Sequence, residues 1–348
     1  MLARFLSPAT WLACILWFWA STQLFSQQFS VAFYNVENLF DTIDAPLVLD
    51  EDFTPAGQLH WTTERYLTKL DRIAEVVEAM EFPSLLGLAE VENRQVLEDL
   101  VDQPRLQRCS YGIVHADSPD ERGIDVALLY DEKQFNLLAW DTLRIHFPDS
   151  LRKNPDLKYS TRDVLFARLQ TRSKPQHAIW VGVVHAPSRR GGLEATEPLR
   201  LYVASQIRNY ISRLQSADPH AAILLMGDFN DDPDSPSLRT ALQAACPGEN
   251  AEPALFYNLT CPAFHAGLGT YNYRGTWNML DQFIASASLI HRWKNWTAQP
   301  FRLERMMFAH DRFGPMPNRT YGGPNYYGGY SDHLPILLQA EWVKQKPK

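Results

Sequence analysis

The sequence predicts an α/β domain built from layered, partly antiparallel sheets. Three observations predict it. Apolar runs of strand length alternate with amphipathic stretches of helix length. In the middle of the chain several strand-like runs follow one another directly, which a purely parallel fold would not do. Polar residues stand repeatedly at the C-terminal ends of the apolar runs, where sites collect in α/β folds.

Each element can be justified in turn. Residues 29–35, FSVAFYN, read as a strand ending at Asn35. Residues 64–80 read as a helix, with Leu67, Leu70, Ile73, Val76, Val77 and Met80 on one face and Thr62 or Thr63 as its cap. Residues 84–89, SLLGLA, form a short strand ending at Glu90, and 93–101 look helical. Strands follow at 124–130, 163–170 and 178–184, then a helix at 194–215 and a buried strand at 221–226. A last strand covers 335–342. The Gly-, Pro-, Asn- and aromatic-rich stretch 311–330 reads as a long loop. There is no internal repeat and no low-complexity linker.

Composition bounds the function. The chain has 348 residues, 45% of them hydrophobic, enough for a large core. Its net charge of −7 argues against nucleic-acid binding by charge alone. It does not exclude an enzyme that meets phosphate through a metal ion, because the ion brings its own charge. Arg4, the apolar run 9–20 and the polar turn from Ser21 resemble an export signal. The expected organisation is therefore a signal peptide over 1–26 and one domain over 27–348, exported to the periplasm, the outer surface or the medium, with no membrane span in the mature chain. Cys14 lies too early for a lipoprotein signal. Cys109, Cys246 and Cys261 remain; the last two flank a loop-like stretch and are either a disulfide or unrelated buried thiols.

The chemistry-bearing residues sit at strand ends. In ILLMGDFNDDPD, Asp228 and Asn230 are at i and i+2, on one face of extended backbone. A carboxylate and an amide so placed can hold a water and a phosphate oxygen; turn formation is the plainer reading. His185 ends WVGVV, and GGYSDHL brings Asp332 and His333 before an apolar strand. A histidine there can act as acid or base near neutral pH. Asp281 stands within an apolar run and needs a partner, for which His333 or His185 would serve. Arg122 is a candidate phosphate contact or a plain surface charge, and Asp125 opens the strand after it. The loop Arg189–Gly192 is an exposed turn or a phosphate contact. Tyr321, Tyr326, Tyr327 and Tyr330 pack their loop down or stack on bases.

Taken in order, FYNVENLF, GLAEVEN, SPDERGIDVALLYD, VVHAPS, LLMGDFND, WNMLDQFIAS and GGYSDHLP resemble the endonuclease/exonuclease/phosphatase family over roughly residues 28–343. The resemblance implies a DNase-like, four-layered sandwich of two mixed β-sheets flanked by helices. It implies a hydrolase acting on phosphoester bonds with Mg²⁺, with Mn²⁺ or Ca²⁺ as alternatives. Glu90 matches the metal-binding glutamate, and Asn35 and Asp332 match positions that bind or support metal and phosphate. Asp228 matches the residue that orients or deprotonates water, and Asn230 the one that holds phosphate. His333 is oriented by Asp281; His185 is the second histidine, with Asp125 as its expected carboxylate. The implied protein is a monomeric extracytoplasmic endonuclease, or a phosphatase or phosphodiesterase acting on a phosphorylated small molecule or lipid. A catalytically silent binding module is disfavoured by the completeness of the residue set. A zinc hydrolase would need a short-spaced His/Cys motif.

Overall fold

The computed structural model describes residues 28–152, 154, 159–249 and 255–343. The expected export signal, residues 1–26, lies outside the described residues. Strand β1 (Gln28–Leu39) shows why the strands read as unbroken apolar runs. Val31 and Phe33 enter one core while Ala32 and Tyr34 enter another. Both faces of the strand are buried, so its sequence shows no polar alternation.

Two mixed sheets carry the domain. The first runs, in spatial order, β14 (Trp293–Pro300), β19 (Ile336–Trp342), β1, β2 (Leu85–Val91), β4 (Asp125–Asp131) and β3 (Tyr111–His115). The second runs β5 (Phe135–Leu143), β6 (Val164–Thr171), β7 (Ala178–His185), β8 (Ile223–Asp228), β13 (Asp281–Ser286), β10 (Phe256–Asn258) and β9 (Ala244–Ala245). β1 and β2 pair in parallel, as do β7 and β8. Parallel neighbours need a crossover, and α1 (Thr63–Ala79) and α3 (Leu193–Ala217) supply it.

The sheets pack face to face. Phe33, Leu85 and Leu128 of the first meet Val181, Leu224, Met226 and Phe283 of the second. Their approach is close at Gly87, where a Cβ would come within 2.6 Å of Met226 Sδ. On the outside, α1 and α2 (Arg94–Val101) bury Leu70, Ile73, Val77 and Leu97 against Leu86, Leu88 and Leu129. On the opposite outer face α3 buries Leu199, Val203, Ile207 and Ile211 against Phe166, Ile223 and Leu225. The result is the expected helix, sheet, sheet, helix sandwich.

Local details depart from the sequence reading in two places. Thr62 caps α1, its hydroxyl accepting from Arg65 N at 3.4 Å, but Leu67 is 53% exposed. The buried face carries Lys69 in its stead. Residues 311–330 are not one loop. They belong to two hairpins, β15 (Met307–His310) with β16 (Gly314–Pro317) and β17 (Tyr321–Gly322) with β18 (Asn325–Tyr326). Their tyrosines pack downward: Tyr321 lies 5.9 Å from the Trp61 ring, Arg65 covers Tyr326, and the Tyr330 hydroxyl donates to Glu75. Tyr327 alone of the four is exposed. A third hairpin joins β11 (Tyr271–Tyr273) to β12 (Thr276–Asn278), and the short helices α4 (Cys261–His265) and α5 (Ala287–Ile290) complete the chain. Cys246 and Cys261 are disulfide-bonded, with Cα atoms 5.6 Å apart, while Cys109 is free. Among the described residues no helix is long and apolar enough to cross a membrane.

At one end of the sandwich His177 stacks on Trp342, ring centroids 4.4 Å apart and planes nearly parallel. His177 precedes β7 and Trp342 ends β19, so the stack ties the two sheets. Burial, aided by the Arg292 charge, pushes the His177 imidazole below its ordinary range. A base so depressed gives stability that is present above its unfolded value of about 6.5 and lost as pH falls through it. His177→Phe should therefore raise the Tm at about pH 5.5 relative to that at about pH 7.5, compared with the same difference in the wild type. An equal Tm difference in wild type and variant, read by calorimetry, would take His177 out of this linkage.

Candidate active site

The parallel pairs end at one edge, and there the sheets meet. In the second sheet His185, Asp228 and Asp281 form a single row across β7, β8 and β13. From the first sheet Asn35 Nδ2 donates to Asp228 Oδ2 at 3.1 Å, and Glu90 Oε1 lies 3.9 Å from His185 Nε2. Strand ends that looked separate in sequence thus converge.

The backbone is shaped to aim them. Bulges interrupt β1 after Asn35 and β2 after Ala89. Glu37, Asn38, Glu90 and Asn230 all have φ between 51° and 63°. Side chains other than glycine seldom occupy this left-handed region, and such strain gathers at functional sites. It is held in place by local bonds: Glu37 N donates to Asn35 Oδ1, Asn38 N to Glu90 Oε2, and Asn230 N to Asp228 Oδ1.

Asp228 is the centre. It is 1% exposed, and its Oδ2 has His185 Nε2 at 3.5 Å and His333 Nε2 at 3.9 Å. Burial pushes its carboxyl up and the His333 charge opposes this, leaving it at about 6. His333 Nδ1 pairs with Asp281 Oδ2 at 2.7 Å, and its ring lies 5.0 Å from that of Tyr271. Burial acts to lower the His333 pKa, but the carboxylates of Asp281 and Asp228 outweigh it and hold the ring protonated well above the ordinary range. His185 goes the other way. Burial, then the charges of Arg162, Arg122 and His333, keep it neutral. Two imidazoles on one carboxylate are thereby set in opposite states.

Beside them lies an acidic pocket. Glu37, missed in the sequence, is buried and receives Thr320 N at 2.6 Å. Burial and the nearby Asp332 charge raise it to about 7. Lys69, whose Nζ donates to Thr320 Oγ1 and Tyr330 O, feels the charges of Glu37, Asp332 and Glu90 together. One cation thus faces three carboxylates whose mutual repulsion a divalent ion would relieve. The donors, Glu90, Asp332, Glu37 and the Asn35 amide oxygen, are all hard oxygens, a set suited to Mg²⁺, Mn²⁺ or Ca²⁺. A tighter cluster, Asp228, Asp281 and His333 within 4.8 Å, is already occupied by its own hydrogen bond and ion pairs.

The arginines divide. Arg162, also missed, is buried; its Nη1 meets Asp120 Oδ2 at 3.1 Å and its Nη2 donates to Ala186 O, while Nε has no hydrogen-bond partner. Arg122 lies 3.7 Å from the same Asp120 and is about a third exposed. The charges of both help to lower the His185 pKa. Arg189 is structural: it donates to Asn230 O, Asn278 Oδ1 and Asp232 Oδ2. Asn230 Nδ2 donates to Ala186 O at 3.1 Å. Asp125 does not partner His185. It sits with His115 Nε2 at 3.3 Å and accepts from Ser118 N. The reason is topological. Asp125 and His115 belong to the neighbouring strands β4 and β3, where His115 pairs with Ala127, two residues along on the same face. His185 is on the other sheet. A buried lysine on the apolar face of α1 was the one available signal for the acidic pocket; nothing local marked Arg162.

Asp281→Asn keeps the shape of the residue and its strand pairing but removes the charge that holds His333 protonated. The His333 imidazole should then titrate at clearly lower pH in an NMR titration. An unchanged titration would show that Asp281 does not set its state.

The chain matches the sequence model of the Endonuclease/Exonuclease/phosphatase family over residues 30–342. No curated protein matches it significantly by sequence. In fold it is similar to D. rerio TDP2 complexed with single strand DNA product, at 12% identity over 90% of this chain and 99% of that one, TM-score 0.54. It is similar to the human Nocturnin catalytic domain with bound sulfate anion, at 16% identity over 91% and 95%, TM-score 0.53. It is similar also to a Bacteroides thetaiotaomicron mannosyl-6-phosphatase, at 15% identity over 91% and 100%, TM-score 0.53. This chain belongs to the endonuclease/exonuclease/phosphatase family of phosphoester hydrolases.

Proposed function

We propose that the chain is an exported, Mg²⁺-dependent phosphodiesterase that cuts nucleic acid internally. The observation that carries this reading is the pair of oppositely poised histidines on Asp228. A diester leaving group departs as an alkoxide and needs a proton; the attacking water must lose one. Asp228 orients the water and takes its proton. His333, held protonated and 6% exposed, gives a proton to the leaving oxygen. Neutral His185 accepts or donates a hydrogen bond beside Glu90 without adding charge. Arg122, Arg162 and the second N–H of Asn230 face the non-bridging oxygens. Glu90, with Asp332, Glu37 and Asn35, would hold the ion, which when bound supplies charge neutralisation to the phosphate.

Export is supported by the N-terminal signal-like segment and by the Cys246–Cys261 disulfide, since such bonds persist in oxidising compartments. The net charge of −7 favours a second reading, a phosphatase or phosphodiesterase on small or lipid-linked phosphates that need no extended basic groove.

The test incubates the mature chain with plasmid DNA, bis-p-nitrophenyl phosphate and a sugar phosphate, with Mg²⁺ or with EDTA. Metal-dependent nicking is expected, and Asp228→Ala or His333→Ala should each lower it by roughly 10²–10⁴-fold. Turnover of the sugar phosphate alone would select the second reading. Wild-type rates in both variants would sink the assignment of the site.

A further inference from the structure

A second group of ligating side chains lies at the far end of the loop that leaves the active site. Asp234, Cys246, Cys261 and His265 have ligand atoms all within 4.8 Å of one another. They come from three segments: the loop after β8, the turn after β9, and α4. On α4 Cys261 and His265 stand at i and i+4, hence on one face. His265 Nε2 meets Asp234 Oδ2 at 2.9 Å. The Cys261 sulfur is 3.9 Å from the same nitrogen and 4.0 Å from Nδ1. The cysteines are buried and the other two residues are exposed, so the cluster opens to solvent on one side.

We propose that reduction of the Cys246–Cys261 disulfide converts this cluster into a closed tetrahedral Zn²⁺ site with Cys246, Cys261, His265 and Asp234 as ligands. The donor set is two sulfurs, one imidazole nitrogen and one carboxylate oxygen, the types Zn²⁺ takes in four-coordinate sites. Bonds of about 2.3 Å to sulfur and about 2.0–2.1 Å to nitrogen and oxygen put tetrahedral neighbours roughly 3.5 Å apart. The observed sulfur-to-imidazole separation is already near this, so modest side-chain movement completes the site. The Cα spacing of 5.6 Å that allows the disulfide also allows two sulfurs on one ion.

The chemistry balances. A dithiol supplies two electrons and two protons; the S–S bond breaks, two thiols form, and the dithiol closes to its own disulfide. Zn²⁺ then displaces both thiol protons to solvent, because thiolate is the ligand. The staple between the β9 turn and α4 is retained in coordinate form, and Asp234 joins it. No step involves the acidic pocket at Glu90, which has no sulfur donor.

That difference gives the test a signature. The full chain is reduced with a phosphine and titrated with Co²⁺, a coloured stand-in for Zn²⁺. We expect a near-ultraviolet thiolate-to-cobalt charge-transfer band that saturates at one equivalent, is displaced by Zn²⁺, and is absent from the oxidised chain. Oxygen-only sites cannot produce it. Cys246→Ser/Cys261→Ser should abolish the band and Cys109→Ser should leave it intact. His265→Ala should weaken Co²⁺ binding by at least about tenfold, the smaller end of what loss of an outer-shell partner alone costs. No band in the reduced wild type, or unchanged affinity in His265→Ala, would overturn the proposal. Should reduction loosen the fold, Zn²⁺ must restore the circular dichroism, and failure to do so would overturn it equally.

Discussion

The site depends on one hydrogen bond between sheets, from Asn35 Nδ2 to Asp228 Oδ2. Asp228 is almost wholly buried, and an unpartnered carboxylate there would be costly. Its partners come from both sheets: Asn35 from β1, His185 and the Asn230 amide from the second sheet, and His333 from the turn before β19. Sheet separation therefore sets the geometry of this cluster. It is set by the packing between them, where Gly87 leaves room for Met226. Core contacts three residues before Glu90 on β2 and two before Asp228 on β8 thus help set whether Asn35 can reach Asp228.

The same geometry explains the opposite states of the two histidines. His333 hangs between the Asp281 and Asp228 carboxylates, so its surroundings are negative. His185 stands one strand over, where Arg162 and Arg122, both held by Asp120, make the surroundings positive. A protein that is acidic overall thus gathers two cations beside His185.

What was legible in the sequence was what depends on a single strand. Each strand buried on both faces is an apolar run, and each functional side chain is the first polar residue after it, as with Asn35, Glu90, His185 and Asp228. What was not legible depends on which strands are neighbours. The family resemblance implied Asp125 as the partner of His185, yet β3 lies beside β4 and supplies His115. Glu37 and Lys69 were hidden because their pairing spans the bulge in β1 and a helix. Leu67 looked like core by periodicity, but the Lys69 ammonium takes the inward place because Thr320 and the Tyr330 carbonyl satisfy it. The hairpins of 307–317 and 321–326 were read as loop because their strands are two to four residues long; the second rests on Arg65 of α1 and on Trp61 through Tyr326 and Tyr321.

The loop from Asp228 to Asp234 shows how such a site is kept rigid without regular structure. Its first carboxylate is held across the sheets. Asp231 lies buried with Arg200 and Ser237, and Asp232 accepts from Met279 N. Arg189 then reaches over from the His185 loop to bind Asn230 O, Asp232 and Asn278. A guanidinium fork satisfying three acceptors at once is spent on position, which is why the basic sequence Arg189–Arg190 does not imply that Arg189 is free for phosphate. Fixing Asn230 O fixes the left-handed turn that aims the Asn230 amide. The loop's last acidic residue, Asp234, meets His265 beside the disulfide. Every acidic residue in GDFNDDPD therefore has a distinct anchor. The run that resembled mere turn chemistry is a strut, joining the reacting end of the sheet to the covalently closed segment behind it.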